Sequence, residues 1–309
     1  MKRDKIAGGL YGVAVGDALG ATLEFLSRQQ VQEKFGEHRE ITGGGRLGLE
    51  PGDITDDTEM TLAVGQGIVA NRENPVETIG ERFLAWYQSN PKSVGNSTRL
   101  SIEHYLQLND WDEAAKQTAK VLKGKTAGNG ALMRTLPITF AYHGEPNHLA
   151  NKSRKICRMT HWDMIAEMSG VFYNVLANCL LIETKEKAWD KTWDWFAAYL
   201  YAEAPSPTVL LVSTLNKAIH CQYEKLHATG FVYDTLFCAL WCFYHTDTAE
   251  EAIVKAVNLG DDADTVGAVT GGLAGLYYGY DALPQRWLSK LKHRDKIDNL
   301  IKELETSVR

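Results

Sequence analysis

Two short stretches of this 309-residue chain concentrate hard oxygen donors. Thr55-Asp56-Asp57-Thr58 lies within PGDITDDTEMTLAV, and Asp262, Asp264 and Thr265 lie far downstream within LGDDADTVGAVTGG. Carboxylates and threonine hydroxyls, with no histidine or thiolate among them, suit Mg²⁺ or Mn²⁺ rather than Zn²⁺ or Cu²⁺. Neighbouring residues on a helix point about 100° apart. Asp56 and Asp57, or Asp262 and Asp264, therefore converge only off the regular helix, and both groups follow a glycine (Gly52, Gly260) at a helix entrance. Capping accounts for either cluster taken alone. Asp56 with Glu59 three residues on is an acidic form of the capping box, and Asp264 would cap TVGAVTGGLAG unaided, with first-turn acids adding ~0.3–1 kcal/mol. Capping needs one aspartate, however, and each cluster supplies at least two beside a threonine hydroxyl. Should the clusters meet, each close carboxylate pair would repel by about 4 kcal/mol at about 4 Å and an effective dielectric of about 20. Two divalent cations would balance that charge.

The elements that must position these groups read as helices. NPVETIGERFLAWYQ, LSIEHYLQL, WDEAAKQTAKVL, DMIAEMSGVFYNVLANCLLI, WDKTWDWFAAYLYAEA and DTLFCALWCFYHT space apolar residues three and four apart. Strand-like alternation is nearly absent. The expected fold is all-α, a compact orthogonal many-helix bundle in a single domain over 1–309. Glycine, proline and asparagine mark loops at ITGGGRLGLEPGD, SNPKSVGNS, KGKTAGNG, YHGEPNH and APSPT. The literal G-x-G-x-x-G at Gly43–Gly48 follows no strand and opens no helix, which excludes a dinucleotide-binding turn. Trp189, Trp193 and Trp195 read as a packed helix. Gly8, Gly12, Gly16 and Gly20 recur every fourth residue, as do Gly267, Gly271, Gly275 and Gly279. Such ladders line one helix face and cost ~1 kcal/mol per interior glycine relative to alanine, so close approach of two helix backbones is expected to offset them. One step beyond the first ladder stands Glu24; if that helix continues, it ends on a carboxylate.

Composition limits the function classes. A 44% hydrophobic content supports a large core, and a net charge of −6 argues against broad nucleic-acid binding, which needs basic surface. Backbone amides can still hold a single anionic ligand. The five cysteines form no C-x-x-C pair and no zinc spacing, consistent with free thiols in a reducing compartment. The apolar start is rich in glycine and interrupted by Asp17, unlike a leader peptide, and no apolar run is long enough for a membrane helix. A cytoplasmic protein is expected.

These stretches together resemble the ADP-ribosylglycohydrolase family. GGLYGVAVGDALGATLEF is similar to its first helix, ending at Glu24; PGDITDDTEM and GDDADTVGAVTGGLAGLYYG resemble its two metal motifs. GNGALMRTLPI resembles its glycine-rich segment, and MTHWDMIAEMSG its Thr-His helix start. The resemblance implies one cation held by Thr55, Asp56, Asp57 and Asp264 and a second by Asp262, Asp264 and Thr265, with Asp264 shared. It places Gly128, Asn129, Gly130 and Ala131 along an ADP-ribose, where backbone N–H groups at a helix N-terminus suit a diphosphate, and puts His161 beside the ligand. Read without the resemblance, the glycine-rich run is a plain turn before a short helix stopped by Pro137, and His161 is a structural histidine. Arg134 is expected to be a structural ion-pair partner. Proton transfer falls to Glu24 or to the aspartates Asp56, Asp57 and Asp264. The implied substrate is an ADP-ribosylated protein, arginine-linked first, or a small ADP-ribose conjugate, with ADP-ribose as product. Many members carry Asp-Ile-Gly, close to the site in arginine-directed enzymes, where this chain has Ser93-Val94-Gly95.

Two rivals keep a pocket but change the chemistry. An all-α nucleotide phosphohydrolase of the HD type needs a His-Asp dipeptide, and none of the nine histidines precedes an aspartate. A non-catalytic ADP-ribose binder would be expected to have lost metal ligands, and all are present here.

Overall fold

The computed structural model describes residues 3–203, 215 and 220–307. In chain order the helices are α1 (Arg3–Gly20), α2 (Arg28–Phe35), α3 (Asp56–Ala70), α4 (Pro75–Gln88), α5 (Asn96–Leu108), α6 (Trp111–Val121), α7 (Leu136–Ala141), α8 (Pro146–Arg158), α9 (Met164–Leu180), α10 (Lys185–Glu203), α11 (Val232–Tyr244), α12 (Ala249–Val257), α13 (Ala263–Tyr278), α14 (Gln285–Leu288) and α15 (Arg294–Ser307). The described residues form no strand, only isolated bridges between Gly44 and Leu49 and between Gly128 and Phe231. The fold is all-α. One cluster of buried apolar side chains runs from Ile6 to Leu304, and a smaller one gathers Leu226, Cys238, Cys242, Leu259 and Val266.

The glycine ladders bring two helix backbones into direct contact. A β-carbon added to Gly8, Gly12 or Gly16 would run into the carbonyl of Gly275, Gly271 or Gly267, and one on Gly20 into the carbonyl of Ala263. The partners descend in number as α1 ascends, so α1 and α13 lie antiparallel, backbone against backbone. Every residue of α1 from Gly8 to Gly20 is buried, which is how the fold offsets the poor helix propensity of these segments. The second ladder is shorter than its spacing suggests. Gly279 is not inside α13 but at its C-cap, with φ +92°.

Several expectations change in detail. α1 stops at Gly20 rather than running on to Glu24; residues 21–25 turn, with the Ala21 N–H bonded to Asp17 O and the Leu23 N–H to Gly20 O. The stretch YHGEPNH is only partly loop. Glu145 caps α8 by accepting from the N–H groups of Asn147 and His148, and Pro146 occupies the first turn, where its missing N–H costs nothing. Pro137 likewise opens α7 rather than stopping a helix. The six helices read from periodicity are present as α4, α5, α6, α9, α10 and α11; the break expected at APSPT, residues 204–208, lies outside the described residues. Trp189 stacks on Trp193 at 6.0 Å and meets Phe172 edge-on, as a packed helix requires. All five cysteines are free; Cys157, Cys238 and Cys242 are buried, Cys179 and Cys221 only partly. Among the described residues no helix is long and apolar enough to cross a membrane.

The ladder yields a direct test. Gly12→Ala should gain ~1 kcal/mol of helix propensity yet destabilise the protein by about 3 kcal/mol net, because the added methyl meets backbone that cannot yield as a side chain would. Thermal unfolding should show a melting temperature several degrees lower; a variant as stable as the parent would mean the helices separate freely.

Candidate active site

Three helix ends meet at one place, and α1 brings two of them together. Asp17, fully buried on α1, accepts four hydrogen bonds from the start of α3: from the Thr55 N–H (3.0 Å) and hydroxyl (2.9 Å), and from the Thr58 N–H (3.1 Å) and hydroxyl (2.5 Å). Asp17 therefore caps a helix other than its own. Thr55 is the formal N-cap of α3, with its side chain accepting from the Asp57 N–H. Asp56 does not cap. Its carboxylate turns toward the loop before α5, where it accepts from the Gly95 N–H (3.3 Å) and the Ser93 hydroxyl.

The start of α13 is built alongside. Asp262 is the N-cap residue but makes no side-chain cap bond; its carboxylate accepts from the Asn129 side-chain amide at 2.8 Å, and that amide also donates to Thr235 at 2.8 Å. Asp264 lies in the first turn, buried, accepting from the Thr265 N–H (2.9 Å). The Thr265 hydroxyl donates to Asp57 Oδ2 at 3.3 Å, which joins the two distant clusters directly. Glu24 arrives on the turn after α1. That turn is clamped to the entrance of α13 by reciprocal bonds, Phe25 N–H to Asp261 O (2.7 Å) and Asp261 N–H to Leu26 O (2.6 Å). Both Phe25 (φ +65°) and Asp261 (φ +52°) take the left-handed conformation, which costs roughly 1–2 kcal/mol per non-glycine residue.

These residues line a pocket of about 380 Å³. One end carries the carboxylates of Glu24, Asp56, Asp57, Asp262 and Asp264 with Thr265. The remaining wall is neutral or basic: Ser93–Thr98, Gly128–Gly130, His161, Gly230 and Lys125, the one lysine or arginine among the described lining residues. Of the expected site residues, Ala131 is buried away from the pocket, and Thr55 stands behind Asp57 with its hydroxyl committed to Asp17. Gly128–Gly130 do not form the start of a long helix. They open a three-residue 3₁₀ turn in which the Asn129 N–H is already donated to Gly230 O (3.1 Å).

The electrostatics are those of acids gathered away from water. Burial, followed by the charges of Asp17, Asp56 and Asp262, holds Asp57 well above the ordinary carboxylate range. Burial, followed by Asp262, Asp57 and Glu24, does the same for Asp264. Glu24 is pushed up to about 7 by burial and by Asp262 and Asp56, and Asp17 to about 7 by burial against the four donors it accepts from. Asp57 Oδ1 and Glu24 Oε2 are buried without a hydrogen-bond partner. Among the described residues no three acidic, histidine or cysteine side chains converge at metal-ligand spacing. The donor set nevertheless fits hard divalent cations in kind: only oxygens, excess negative charge, and buried lone pairs with nothing to accept from.

Comparison with known proteins gives the family. Residues 1–309 match the ADP-ribosylglycohydrolase family, the full length of the chain. The chain belongs to that family. The ADP-ribosyl-[dinitrogen reductase] glycohydrolase of Rhodospirillum rubrum is 36% identical over 288 residues, 93% of this chain and 90% of that one. ADP-ribosylarginine hydrolase Tri1 of Serratia proteamaculans is 32% identical over 310 residues, 97% of this chain and 79% of its own. A solved structure described as an ADP-ribosylglycohydrolase-related protein complex superposes with a TM-score of 0.81 at 32% identity, covering 99% of each chain. As a member of this family, the chain is an ADP-ribosylglycohydrolase enzyme.

In this glycohydrolase, Asp17 is the residue that sequence reasoning passed over. Its signal is a lone charge inside a glycine ladder, which speaks against a leader peptide and a membrane helix but does not by itself name a partner. Arg134 also departs from expectation. It is fully buried and forms no ion pair among the described residues, lying 4.6 Å from the centre of the Phe83 ring with Nη2 donating to Thr160 Oγ1 (2.7 Å). Asp17→Asn replaces a charged acceptor with an amide that cannot serve all four donors. It should cost about 2–4 kcal/mol of stability and most of the turnover, although Asp17 lines no part of the pocket. Calorimetry and activity measured on one sample check this, and an unchanged melting temperature would remove Asp17 from its positioning role.

Proposed function

We propose that this enzyme hydrolyses the glycosidic bond between ADP-ribose and a protein side chain, arginine first, reversing mono-ADP-ribosylation with the help of two divalent cations, Mg²⁺ or Mn²⁺. The observation that carries the reading is the division of the pocket. Five carboxylates face a neutral-to-basic wall containing a glycine-rich turn and a histidine, which suits a ligand with a sugar at one end and an anionic diphosphate at the other. The family relatives named for ADP-ribosylarginine and ADP-ribosyl-dinitrogen reductase support the substrate class.

Cleavage at the anomeric carbon passes through an oxocarbenium-like transition state. Asp56, Asp57, Asp262, Asp264 and Thr265 at the pocket surface, with Thr55 behind them, are the residues that would hold the cations. When bound, the cations would orient the distal ribose hydroxyls and a water and lower that water's pKa. The chain's own groups do the rest. The carboxylates set negative charge around the developing cation, and a guanidinium leaving group is accommodated by the same field. Glu24 is placed to move the proton, because it is half-buried at the acidic end with one oxygen unpartnered. Gly128, Asn129 and Gly130 shape the wall for the diphosphate, and His161 lines the pocket beside them.

A second acceptor class rests on one observation. Ser93 contributes a neutral hydroxyl that bonds Asp56 where many family members carry an aspartate. This favours oxygen-linked acceptors, ADP-ribosyl-serine or O-acetyl-ADP-ribose, as the alternative.

The test is release of ADP-ribose from arginine-linked and serine-linked peptides with Mg²⁺, Mn²⁺ or EDTA. We expect divalent-dependent release from the arginine-linked peptide, with kcat lowered about 10²-fold or more in Glu24→Gln and nearly abolished in Asp264→Asn. Full activity in EDTA or an unimpaired Asp264→Asn enzyme would sink the cation-assisted account. Release from the serine-linked peptide alone would transfer the assignment to the second class.

A further inference from the structure

We propose that Arg134 and Thr160 are positioning residues that hold His161 in its Nε2–H tautomer, so that its pocket-facing edge donates a hydrogen bond to an acceptor oxygen of the bound ligand. The ligand half of this inference rests on the ADP-ribose reading of the pocket; the tautomer half does not.

The inference starts from a buried cation with no ion-pair partner among the described residues. The Arg134 guanidinium is fully buried; among the described residues it reaches, beside Thr160 Oγ1, only Ile156 O (3.4 Å), Met60 Sδ (3.8 Å) and the face of Phe83, and its Nε finds no partner there. A guanidinium only donates. The Thr160 hydroxyl must therefore accept from Arg134, and its own proton is left for the other polar atom in reach, His161 Nδ1 at 2.8 Å. The reverse arrangement, with Nδ1–H donating to Thr160, would leave a buried hydroxyl proton without an acceptor, the outcome that folded proteins avoid. With Nδ1 accepting, the ring proton sits on Nε2. The Thr160 backbone is held in turn by Ser101 Oγ, 3.0 Å from its carbonyl.

The other edge of the ring faces the site. A β-carbon on Gly128 would lie 3.3 Å from His161 Nε2, and one on Gly130 3.2 Å from Cε1. Glycine at both positions keeps the ring edge uncovered toward the pocket that His161 lines. Burial and the nearby Arg134 charge press the imidazole pKa down to about 3, which keeps the ring neutral. His161 is thus a donor to ligand oxygen and has no free lone pair on the pocket side, so it cannot be the base. Proton transfer stays with the carboxylates on the opposite wall.

Long-range ¹H–¹⁵N correlation spectra of ¹⁵N-histidine-labelled protein read the tautomer directly, with His161→Gln identifying its signals among the nine histidines. Expected in the parent enzyme are a pyrrole-like Nε2 and a pyridine-like Nδ1. Thr160→Val keeps the shape but removes the hydroxyl; it should shift His161 toward the Nδ1–H form and weaken ADP-ribose binding and KM about tenfold, with a smaller effect on kcat. Thr160→Ser should restore both. A parent spectrum with Nδ1–H, or an unchanged tautomer in Thr160→Val, overturns the relay; if the valine variant does not fold, the parent and Thr160→Ser spectra decide. A changed tautomer with unchanged ADP-ribose affinity overturns the ligand half. The expected tautomer together with no turnover of any ADP-ribose-linked substrate leaves the relay standing and removes the substrate reading instead.

Discussion

The backbone contact between α1 and α13 is the constraint on which the rest of the site depends. Glycine at Gly8, Gly12 and Gly16 opposite Gly275, Gly271 and Gly267 removes every side chain that would hold the two helices apart. Each glycine gives up roughly 1 kcal/mol of helix propensity, and the whole length of the contact is buried in return. The pairing also fixes register. Gly20 must lie on Ala263, so the turn carrying Glu24 can leave α1 only beside the residues Asp262 and Asp264. Asp17 then extends the same contact to a third helix by taking the amides and hydroxyls at the start of α3. One helix whose own sequence is mostly glycine and small apolar residues positions both acidic clusters.

Charge in the pocket follows from that placement. The acids stand at the N-terminal ends of α3 and α13, where the aligned peptide dipoles favour negative charge, but burial and mutual repulsion outweigh that help and raise Asp57 and Asp264. Several buried carboxylates that neither cap a helix nor pair with a cationic side chain are costly for a fold to keep. The expense is intelligible when they serve a ligand or a cation. On the neutral wall the balance is opposite. Arg134 is a buried positive charge with a hydroxyl, a sulfur and an aromatic face for company, and its proton donors run through Thr160 to the histidine at the pocket.

What the sequence made legible, and what it hid, divides along physical lines. The acidic clusters, the glycine ladders and the six strongly periodic helices were readable because each leaves a local pattern that tertiary structure did not override. Glu24 lines the acidic end of the pocket, but it stands on a turn, since the helix expected to carry it ends four residues earlier at Gly20. The prolines misled. Pro137, expected to stop a helix, and Pro146, expected within a loop, each stand in the first turn of one, because proline is as compatible with a first turn as it is hostile to a later one. Asp17 and Arg134 were hidden for a different reason. Their partners are distant in sequence, and no spacing rule shows that one aspartate will serve another helix or that a buried arginine will lack a carboxylate. That the two threonine-aspartate clusters touch, through Thr265 and Asp57, likewise follows from the ladder register and not from either motif alone.

The competition between helix capping and site building is settled by division of labour. An aspartate that caps its own helix spends its oxygens on first-turn amides and has little left for a ligand. In α3 those amides are served by the Thr55 hydroxyl and by Asp17 reaching across from α1, so Asp56 and Asp57 are spared. In α13 the N-cap carboxylate of Asp262 makes no cap bond and is held instead by Asn129. Helix entrances let adjacent side chains converge, but only where another residue has taken over the cap. Asp17 at the heart of the glycine ladder is therefore as much a condition of the site as any carboxylate that faces the pocket.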